Sequence, residues 1–286
     1  MPEGETSMTA VEPAVDAQAQ TCVFLRQHRR VLARFGATLS RDSRILDFGC
    51  GEGKLVYEYR DAGFNAYGFD IRPAPLLRTP EDGQYFGFSL TGQPANVPDY
   101  RVEGESYRIP YDNESFDFIF STSTMEHVQD FDLAFAETAR VLKPDGICLH
   151  TFPARYRLVE SHIKVPLGGW LQSFPWFLLW GLLGVRNQFQ GHLGPVECAK
   201  NNVYFSKTGL QYLRLEEILA RSHRYFDEVS LIPPHHVWDA ADNPSANYRR
   251  ALLFHPFTSR VIGWMSSRFW TIVLVLRKNR PPQPPR

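Results

Sequence analysis

The chain has 286 residues, enough for one large α/β domain or two small ones, and 43% of them are hydrophobic. Thirty-one basic residues balance 31 acidic ones, so no overall positive field attracts nucleic acid, and no nucleic-acid partner is expected. The four cysteines are widely separated and form no C-x-x-C pair, which disfavours disulfides and zinc, so we expect a reducing, cytoplasmic compartment and no metal site.

The N-terminal part reads as a leader followed by a helix. Residues 1–20 contain acidic but no basic side chains, which predicts a disordered leader. From Cys22 to about Leu39 apolar residues recur at helical spacing with arginines between them. This pattern predicts an amphipathic helix packed beside the first strand.

A glycine-rich stretch from Arg44 to Gly53 organises the chain. A short apolar run ends in Asp47, three glycines follow, and a helical pattern begins at Lys54. Strand, glycine turn and helix is the unit that brings a backbone close to the polar end of a ligand. The dinucleotide pattern G-x-G-x-x-G needs a glycine where Lys54 stands, which counts against an NAD site.

The next segments alternate between strands and helices. Residues 66–70 read as a strand ending in Asp70, and residues 72–99 read as a long polar loop. Strands at 118–121 and 147–152 flank a helix at 133–142, which predicts a parallel sheet. Further on, Ser206 is expected to cap a helix that runs to about Arg221, followed by strands at 226–232 and 270–276.

Several short motifs recur in a fixed order between residues 44 and 153. After the glycine turn come Gly104-Glu105-Ser106, Ile109-Pro110, Ser115-Phe116-Asp117, Glu126-His127-Val128 and Arg140 to Gly146. In order and spacing they resemble the motifs of class I S-adenosylmethionine-dependent methyltransferases. The nearest branch is the small-molecule one with the ubiquinone/menaquinone-biosynthesis enzymes, the methyltransferase type 11 group.

The resemblance implies a fold and a domain plan. The fold is α/β, with a doubly wound, Rossmann-like, seven-stranded and mostly parallel sheet, an antiparallel last strand and an inserted cap. The methyltransferase domain would cover residues 21–280, with apolar cap insertions at about 155–204 and 233–267, and residues 281–286 would be a tail.

The resemblance also implies the cofactor, S-adenosyl-L-methionine, and its contacts. The glycine N–H groups would serve its carboxypropyl end, Asp47 its amine, Asp70 its ribose hydroxyls, and Glu105 with Ser106 its adenine. The family usually has Asp at the position of Glu105. The cofactor-binding residues implied are Asp47, Gly49, Cys50, Gly51, Gly53, Asp70, Ile71, Glu105, Ser106 and Ser121.

The expected reaction is methyl transfer to a small molecule, apolar or lipid-like, through an oxygen or nitrogen acceptor that needs a base. His127 and His162 follow strands at the ligand edge of the sheet and are the candidates, although a lone histidine is more often structural. The alternatives are a non-catalytic cofactor-binding protein, an NAD-dependent oxidoreductase and, disfavoured by the zero net charge, a nucleic-acid methyltransferase.

Residues 165–185 contain no charged side chain and are long enough to span a membrane. Prolines and glycines interrupt them, however, and a crossing here would divide one sheet across the bilayer. We therefore predict a cap over the acceptor pocket. If Trp170, Trp176 and Trp180 are exposed, this segment would make a peripheral membrane contact. The sequence gives no indication of the oligomeric state.

Overall fold

A computed structural model describes residues 23–71, 76–88, 108–237 and 256–278, with the side chains of residues 235, 256–260 and 262 excepted. The predictions for the leader, for Glu105 and Ser106, and for the tail lie outside these residues. The strands are β1 Arg44–Phe48, β2 Asn65–Asp70, β3 Phe86–Phe88, β4 Phe116–Thr122, β5 Leu142–Pro153, β6 Glu228–Leu231 and β7 Thr271–Arg277. The helices are α1 Val23–Arg34, α2 Lys54–Asp61, α3 Phe131–Val141, α4 Phe174–Leu182, α5 Pro195–Thr208, α6 Leu215–Ser222 and α7 Pro256–Phe269.

The strands form one seven-stranded sheet in the order β3-β2-β1-β4-β5-β7-β6. Strands β1 to β5 pair in parallel, whereas β7 runs antiparallel to both β5 and β6. The strand order reverses between β1 and β4, where open α/β sheets bind ligands beyond the carboxyl ends of the strands. The predicted doubly wound, mostly parallel fold is confirmed.

Alternate residues of each strand supply the two faces of the sheet, because successive side chains point to opposite sides. On β1, Leu46 joins a core cluster that includes Phe135 of α3. Its neighbour Ile45 joins the other cluster, with Leu25 of α1 and Tyr59 of α2. The apolar stripes of the helices thus cover both faces of the sheet. A ligand site is therefore left to the edge where the strands end.

The structure corrects the prediction of a long loop at residues 72–99. A 3₁₀ helix at Pro80–Tyr85 leads directly into β3, and Gly68 of β2 pairs with Phe86. Strand β3 has only three residues, too few for an alternating pattern to be visible in the sequence. Residues 72–75 and 89–99 lie outside the described part.

The prediction that Ser206 begins a helix is wrong. Ser206 lies buried in the last turn of α5, which begins with Pro195 at its first position and is followed by Gly209. A proline is well suited to a first helical turn, because it lacks the N–H that would have no partner there. A separate helix, α6, then occupies Leu215–Ser222.

The uncharged segment at 165–185 does not form one long helix. Its helical part, α4, has nine residues, and none of the described helices is long and apolar enough to cross a membrane. A third apolar cluster instead joins Ile163, Val165 and Phe177 to Ala199 of α5. The segment therefore packs on the chain's own helix α5.

Candidate functional site

The glycine turn after β1 is held down by the end of β2. The N–H groups of Gly49 and Cys50 both donate to the Phe69 carbonyl, at 2.7 and 3.0 Å, and the Gly51 N–H donates to Asp70 Oδ2 at 2.9 Å. Gly49 has φ of +80°, and a Cβ there would lie 2.1 Å from Cγ2 of Thr124. Only glycine fits this position, where the turn is clamped between β2 and the loop after β4.

These hydrogen bonds change the role expected for the glycines. The amides of Gly49, Cys50 and Gly51 are used within the turn, and the Gly53 N–H donates to the Cys50 carbonyl at 2.9 Å. They therefore give the turn its shape and do not supply donors to a ligand carboxylate. Gly51 has open space where a Cβ would lie, so the backbone is accessible at that point.

Two carboxylates meet beneath the turn. Asp47 is only 4% exposed, and burial together with the charge of Asp70 raises its pKa to about 8. Burial and the same two acids also raise the pKa of the Cys50 thiol. A buried acid beside a second, half-buried one favours a positively charged ligand, because a nearby cation offsets both desolvation and mutual repulsion.

A cavity of about 320 Å³ opens beside the turn, within the size range of small-molecule sites. Its lining contains three acidic side chains and one ammonium group. This excess of acidic groups suits a cation better than a dinucleotide diphosphate. The lining residues are Phe24, Asp47, Gly49, Cys50, Glu52, Lys54, Leu55, Glu58 and Thr122.

Not every residue predicted for cofactor binding lies at this cavity. Asp47, Gly49 and Cys50 line it, whereas Gly51 and Asp70 bond to each other in the adjoining turn and Gly53 precedes α2. The remaining two described candidates point elsewhere. Ile71 packs against the core, and the buried Ser121 hydroxyl lies 2.7 Å from His150 Nδ1.

Sequence reasoning missed two residues that close the cavity. Phe24 comes from the start of α1, and Thr122 is the last residue of β4. The helical pattern preceding the glycine turn was visible, but nothing in it indicated that α1 reaches the ligand edge. Thr122 is adjacent to Ser121, and strand alternation could have indicated which of the two side chains faces the cavity.

A second cavity of about 220 Å³ shares Phe24 and Thr122 with the first. Its lining also includes Ser123 after β4, Thr151 to Pro153 at the end of β5, and Arg157. It therefore lies at the carboxyl ends of β4 and β5, next to the glycine-turn cavity. This pair of neighbouring spaces can hold two reactants side by side.

His127 and His162 are brought together, as the sequence led us to expect from their shared edge. Their rings meet edge to face with centroids 4.9 Å apart, and the ring of Phe205 packs beside both. Nδ1 of His127 lies 2.6 Å from the Gly209 carbonyl, and Nδ1 of His162 lies 2.8 Å from Glu160 Oε1. Burial lowers the pKa of His127 to about 4.

Glu160 is a buried carboxylate that holds His162 in place. It accepts hydrogen bonds from the Tyr212 hydroxyl at 2.8 Å and from the backbone N–H groups of His162 and Ile163, both at 2.7 Å. Burial opposes the charge on His162, but the hydrogen bond and charge of Glu160 outweigh it and raise the pKa of that imidazole. The pKa of Glu160 is lowered in return, although burial opposes this shift too.

Glu126 lies next to the two histidines and is 1% exposed. Its backbone carbonyl accepts from the Gln211 N–H at 2.7 Å. Neither of its carboxylate oxygens has a hydrogen-bond partner within the described residues. Burial raises its pKa to about 7. The structure places Glu126 in a 3₁₀ turn with its side chain enclosed.

The region predicted to form the cap exposes a band of apolar side chains. Trp170 is 54% exposed and Leu182 of α4 is 66% exposed, whereas Trp176 and Trp180 pack against the third cluster and are only partly exposed. Tyr156 contacts both Trp170 and Phe269 of α7, so the two regions adjoin. We define the apolar band by its exposed members Trp170, Phe174, Leu179, Leu182, Leu183, Trp264, Met265, Phe269 and Trp270.

Comparison with known proteins gives a family and distant relatives. A family model described as a methyltransferase domain matches residues 18–213. A ubiquinone biosynthesis O-methyltransferase from Actinobacillus pleuropneumoniae is 27% identical over 125 residues, 44% of this chain and 51% of that protein. A malonyl-[acyl-carrier protein] O-methyltransferase from Enterobacter lignolyticus is 26% identical over 160 residues, 52% of this chain and 59% of that protein.

The chain thus spans little more than half the length of these curated relatives. Among solved structures, the Haemonchus contortus phosphoethanolamine N-methyltransferase 2 with S-adenosyl-L-methionine aligns at 15% identity and a TM-score of 0.46. That alignment covers 98% of this chain and 62% of the other. The family match extends over more than half of the residues and includes the glycine turn, Asp70 and His127. The chain belongs to the methyltransferase-domain family, which confirms the resemblance to class I S-adenosylmethionine-dependent methyltransferases.

Proposed function

We propose that this protein transfers a methyl group from S-adenosyl-L-methionine to an oxygen or nitrogen atom of a small, apolar or lipid-like molecule. The observation that carries the proposal is the acid pair Asp47 and Asp70 beneath the glycine turn, beside a cavity of about 320 Å³. S-adenosylmethionine brings an amine and a sulfonium cation, the charges that such a pair favours. An NAD-dependent oxidoreductase is a poorer match, because a diphosphate would add negative charge here.

The binding residues follow from this placement. Asp47 accepts from the cofactor amine, and Asp70 accepts from the ribose hydroxyls, since a carboxylate has two acceptor oxygens. The Lys54 ammonium and the first N–H groups of α2 hold the carboxylate of the cofactor, a task that the bonded glycine amides do not perform. Glu105 and Ser106 remain our candidates for the adenine contact.

The acceptor occupies the second cavity, at the ends of β4 and β5. Arg157 lines that cavity, and its charge also acts on Glu126, so the cavity and the histidine pair are neighbours. Methyl transfer is an in-line displacement that needs alignment and exclusion of water. His127 and His162 act on the acceptor proton, and Glu160 orients the ring of His162 much as a carboxylate orients the histidine of a hydrolase.

The cofactor assignment predicts the effect of Asp70→Ala. Loss of the ribose acceptor should weaken S-adenosylmethionine and S-adenosylhomocysteine by at least ~1 kcal/mol, about fivefold in Kd. Asp70→Asn keeps an oxygen for the Gly51 N–H but only one acceptor, so it should fall between wild type and alanine. Titration calorimetry measures all three. The control is Asp42→Ala, an exposed acid before β1 at the opposite edge. Binding of NAD without binding of S-adenosylmethionine would refute the assignment.

The histidine assignment predicts a loss of turnover. Methyl-³H from labelled cofactor should enter an extracted metabolite, which then serves as the assay substrate and separates an enzyme from a non-catalytic cofactor binder. His162→Ala and His127→Ala should each lower turnover by roughly 10²-fold, while S-adenosylhomocysteine affinity stays unchanged. The exposed His192→Ala variant is the control. Wild-type turnover in both test variants would leave alignment alone as the mechanism.

We further propose that the apolar band draws the acceptor from a lipid surface. Its exposed aromatic and aliphatic side chains come from α4, from α7 and from Trp170, and an apolar surface of this kind is typical of interfacial contacts. The band adjoins Tyr156, one residue before Arg157 at the acceptor cavity. An acceptor leaving a membrane at this surface would therefore have a short path to the site.

Liposome flotation tests this proposal. Wild-type protein should float with vesicles of zwitterionic and anionic phospholipid, and the triple variant Trp170→Ser, Leu182→Ser, Leu183→Ser should remain in the soluble fraction. These positions are more exposed than Trp176 and Trp180, so their replacement leaves the third cluster intact. The control is Leu76→Ser with Leu77→Ser, two exposed leucines between β2 and β3. Wild type staying wholly soluble would contradict the membrane contact.

A further inference from the structure

Glu126, His127 and His162 form a group of three side chains that can each ligate a metal ion. One potential ligand atom from each of the three residues lies within 4.8 Å of the others. We propose that these residues bind a divalent transition-metal cation of the zinc class. We call the group the EHH cluster below.

The spacing of the EHH cluster is close to that of a metal site. Ligand atoms around a tetrahedral zinc ion lie 2.0–2.2 Å from the metal, and so about 3.4 Å from each other. Separations within 4.8 Å therefore need to close by up to about 1.4 Å. Rotation about side-chain bonds provides a movement of this size without moving the backbone.

In both imidazoles, Nδ1 has the hydrogen-bond partner typical of a metal-bound histidine. A metal-ligating histidine typically uses its second ring nitrogen to donate to a carbonyl or a carboxylate, which fixes its tautomer and orientation. His127 Nδ1 lies 2.6 Å from the Gly209 carbonyl, and His162 Nδ1 lies 2.8 Å from the Glu160 carboxylate. In both rings this arrangement puts the lone pair of the neutral imidazole on Nε2.

Glu126 supplies an independent indication. It is 1% exposed, and both carboxylate oxygens have no hydrogen-bond partner within the described residues. Leaving a buried carboxylate without a partner is costly, so such groups are normally paired or coordinate metals. Glu160, by contrast, is also buried but accepts four hydrogen bonds, which leaves it the orienting role. A cation at the EHH cluster would satisfy Glu126.

The donor set indicates the class of metal. Two imidazole nitrogens and one carboxylate oxygen suit zinc and related transition metals, whereas magnesium and calcium prefer all-oxygen sites. The sequence alone does not reveal this site, because only Glu126 and His127 are adjacent and His162 is 35 positions away. The third ligand comes to the cluster only through the packing of residues 160–163 against Tyr212 and α5.

The EHH cluster also has room for an outside ligand. The His162 side chain is 29% exposed, so three protein ligands would leave a coordination position that solvent or substrate can reach. Resting on the proposed function, we infer that the acceptor oxygen occupies this position. With the metal bound, His127 and His162 serve as ligands and not as the base, so the acceptor O–H proton leaves to water. The oxygen lone pair then forms the bond to the methyl carbon, and the electrons of the broken C–S bond stay on sulfur.

Metal titration of tag-free protein tests the site without any cofactor present. After removal of metals by chelation, wild type should bind one Zn²⁺ per chain, and Co²⁺ should give visible d–d absorption. Glu126→Gln and His162→Ala should each weaken Zn²⁺ by at least ~100-fold, and Glu160→Gln by about 10–100-fold, as for other outer-shell partners. The exposed His192→Ala variant, as the matched histidine control, should bind like wild type.

Thermal unfolding keeps the test decisive if a variant folds poorly. In chelator, Glu126→Gln should be at least as stable as wild type, because it removes a buried carboxylate without a partner. Added Zn²⁺ should raise the Tm of wild type but not of Glu126→Gln. Less than ~0.1 Zn²⁺ per wild-type chain, or equal binding by wild type, Glu126→Gln and His162→Ala, would overturn the proposal. Loss of cofactor binding would instead refute only the proposed function.

Discussion

The site depends on one backbone contact, the pair of hydrogen bonds from Gly49 and Cys50 to the Phe69 carbonyl. They pull the turn after β1 onto the end of β2 and so place Asp47 beside Asp70. Burial of Asp47, together with the charge of Asp70, raises the pKa of Asp47 to about 8. The residue at position 49 must be glycine, because Thr124 occupies the space of a Cβ. The fold thereby places two acids that favour a positively charged ligand at the point where the strand order reverses.

The loop after β4 connects the glycine turn to the EHH cluster. Thr124 packs on Gly49, and its carbonyl accepts from the His127 N–H at 2.9 Å. A movement of the glycine turn on cofactor binding would thus reach the EHH cluster through three residues of chain. The second cavity lies against this loop through Ser123, so the glycine turn, the proposed acceptor cavity and the cluster share one short segment. This arrangement explains how one sheet edge can serve both reactants.

The sequence predicts the sheet and the glycine turn well, because both leave local patterns. Asp47, Gly49 and Asp70 were identified from their positions at strand ends, and the structure brings them to one edge. Strand β3 was missed because three residues are too few to show the alternation of apolar and polar side chains that marks a strand. Ser206 was misassigned because serine, a common helix-capping residue, also occurs inside helices. Phe24, Glu160 and the completion of the EHH cluster by His162 depend on tertiary packing, which no local pattern encodes. Ser121 was placed at the cofactor, yet its hydroxyl pairs with His150 inside the sheet.

The most direct test of the central claim is proton release on cofactor binding. At pH 7 Asp47, with its pKa at about 8, holds a proton, and the cationic cofactor should displace it. Calorimetry of S-adenosylmethionine binding in buffers of different ionisation enthalpy measures that proton. We predict release of about half to one proton per site in wild type and none in Asp47→Asn. A binding enthalpy of wild type that does not depend on the buffer would contradict the claim that Asp47 and Asp70 recognise the cofactor cation.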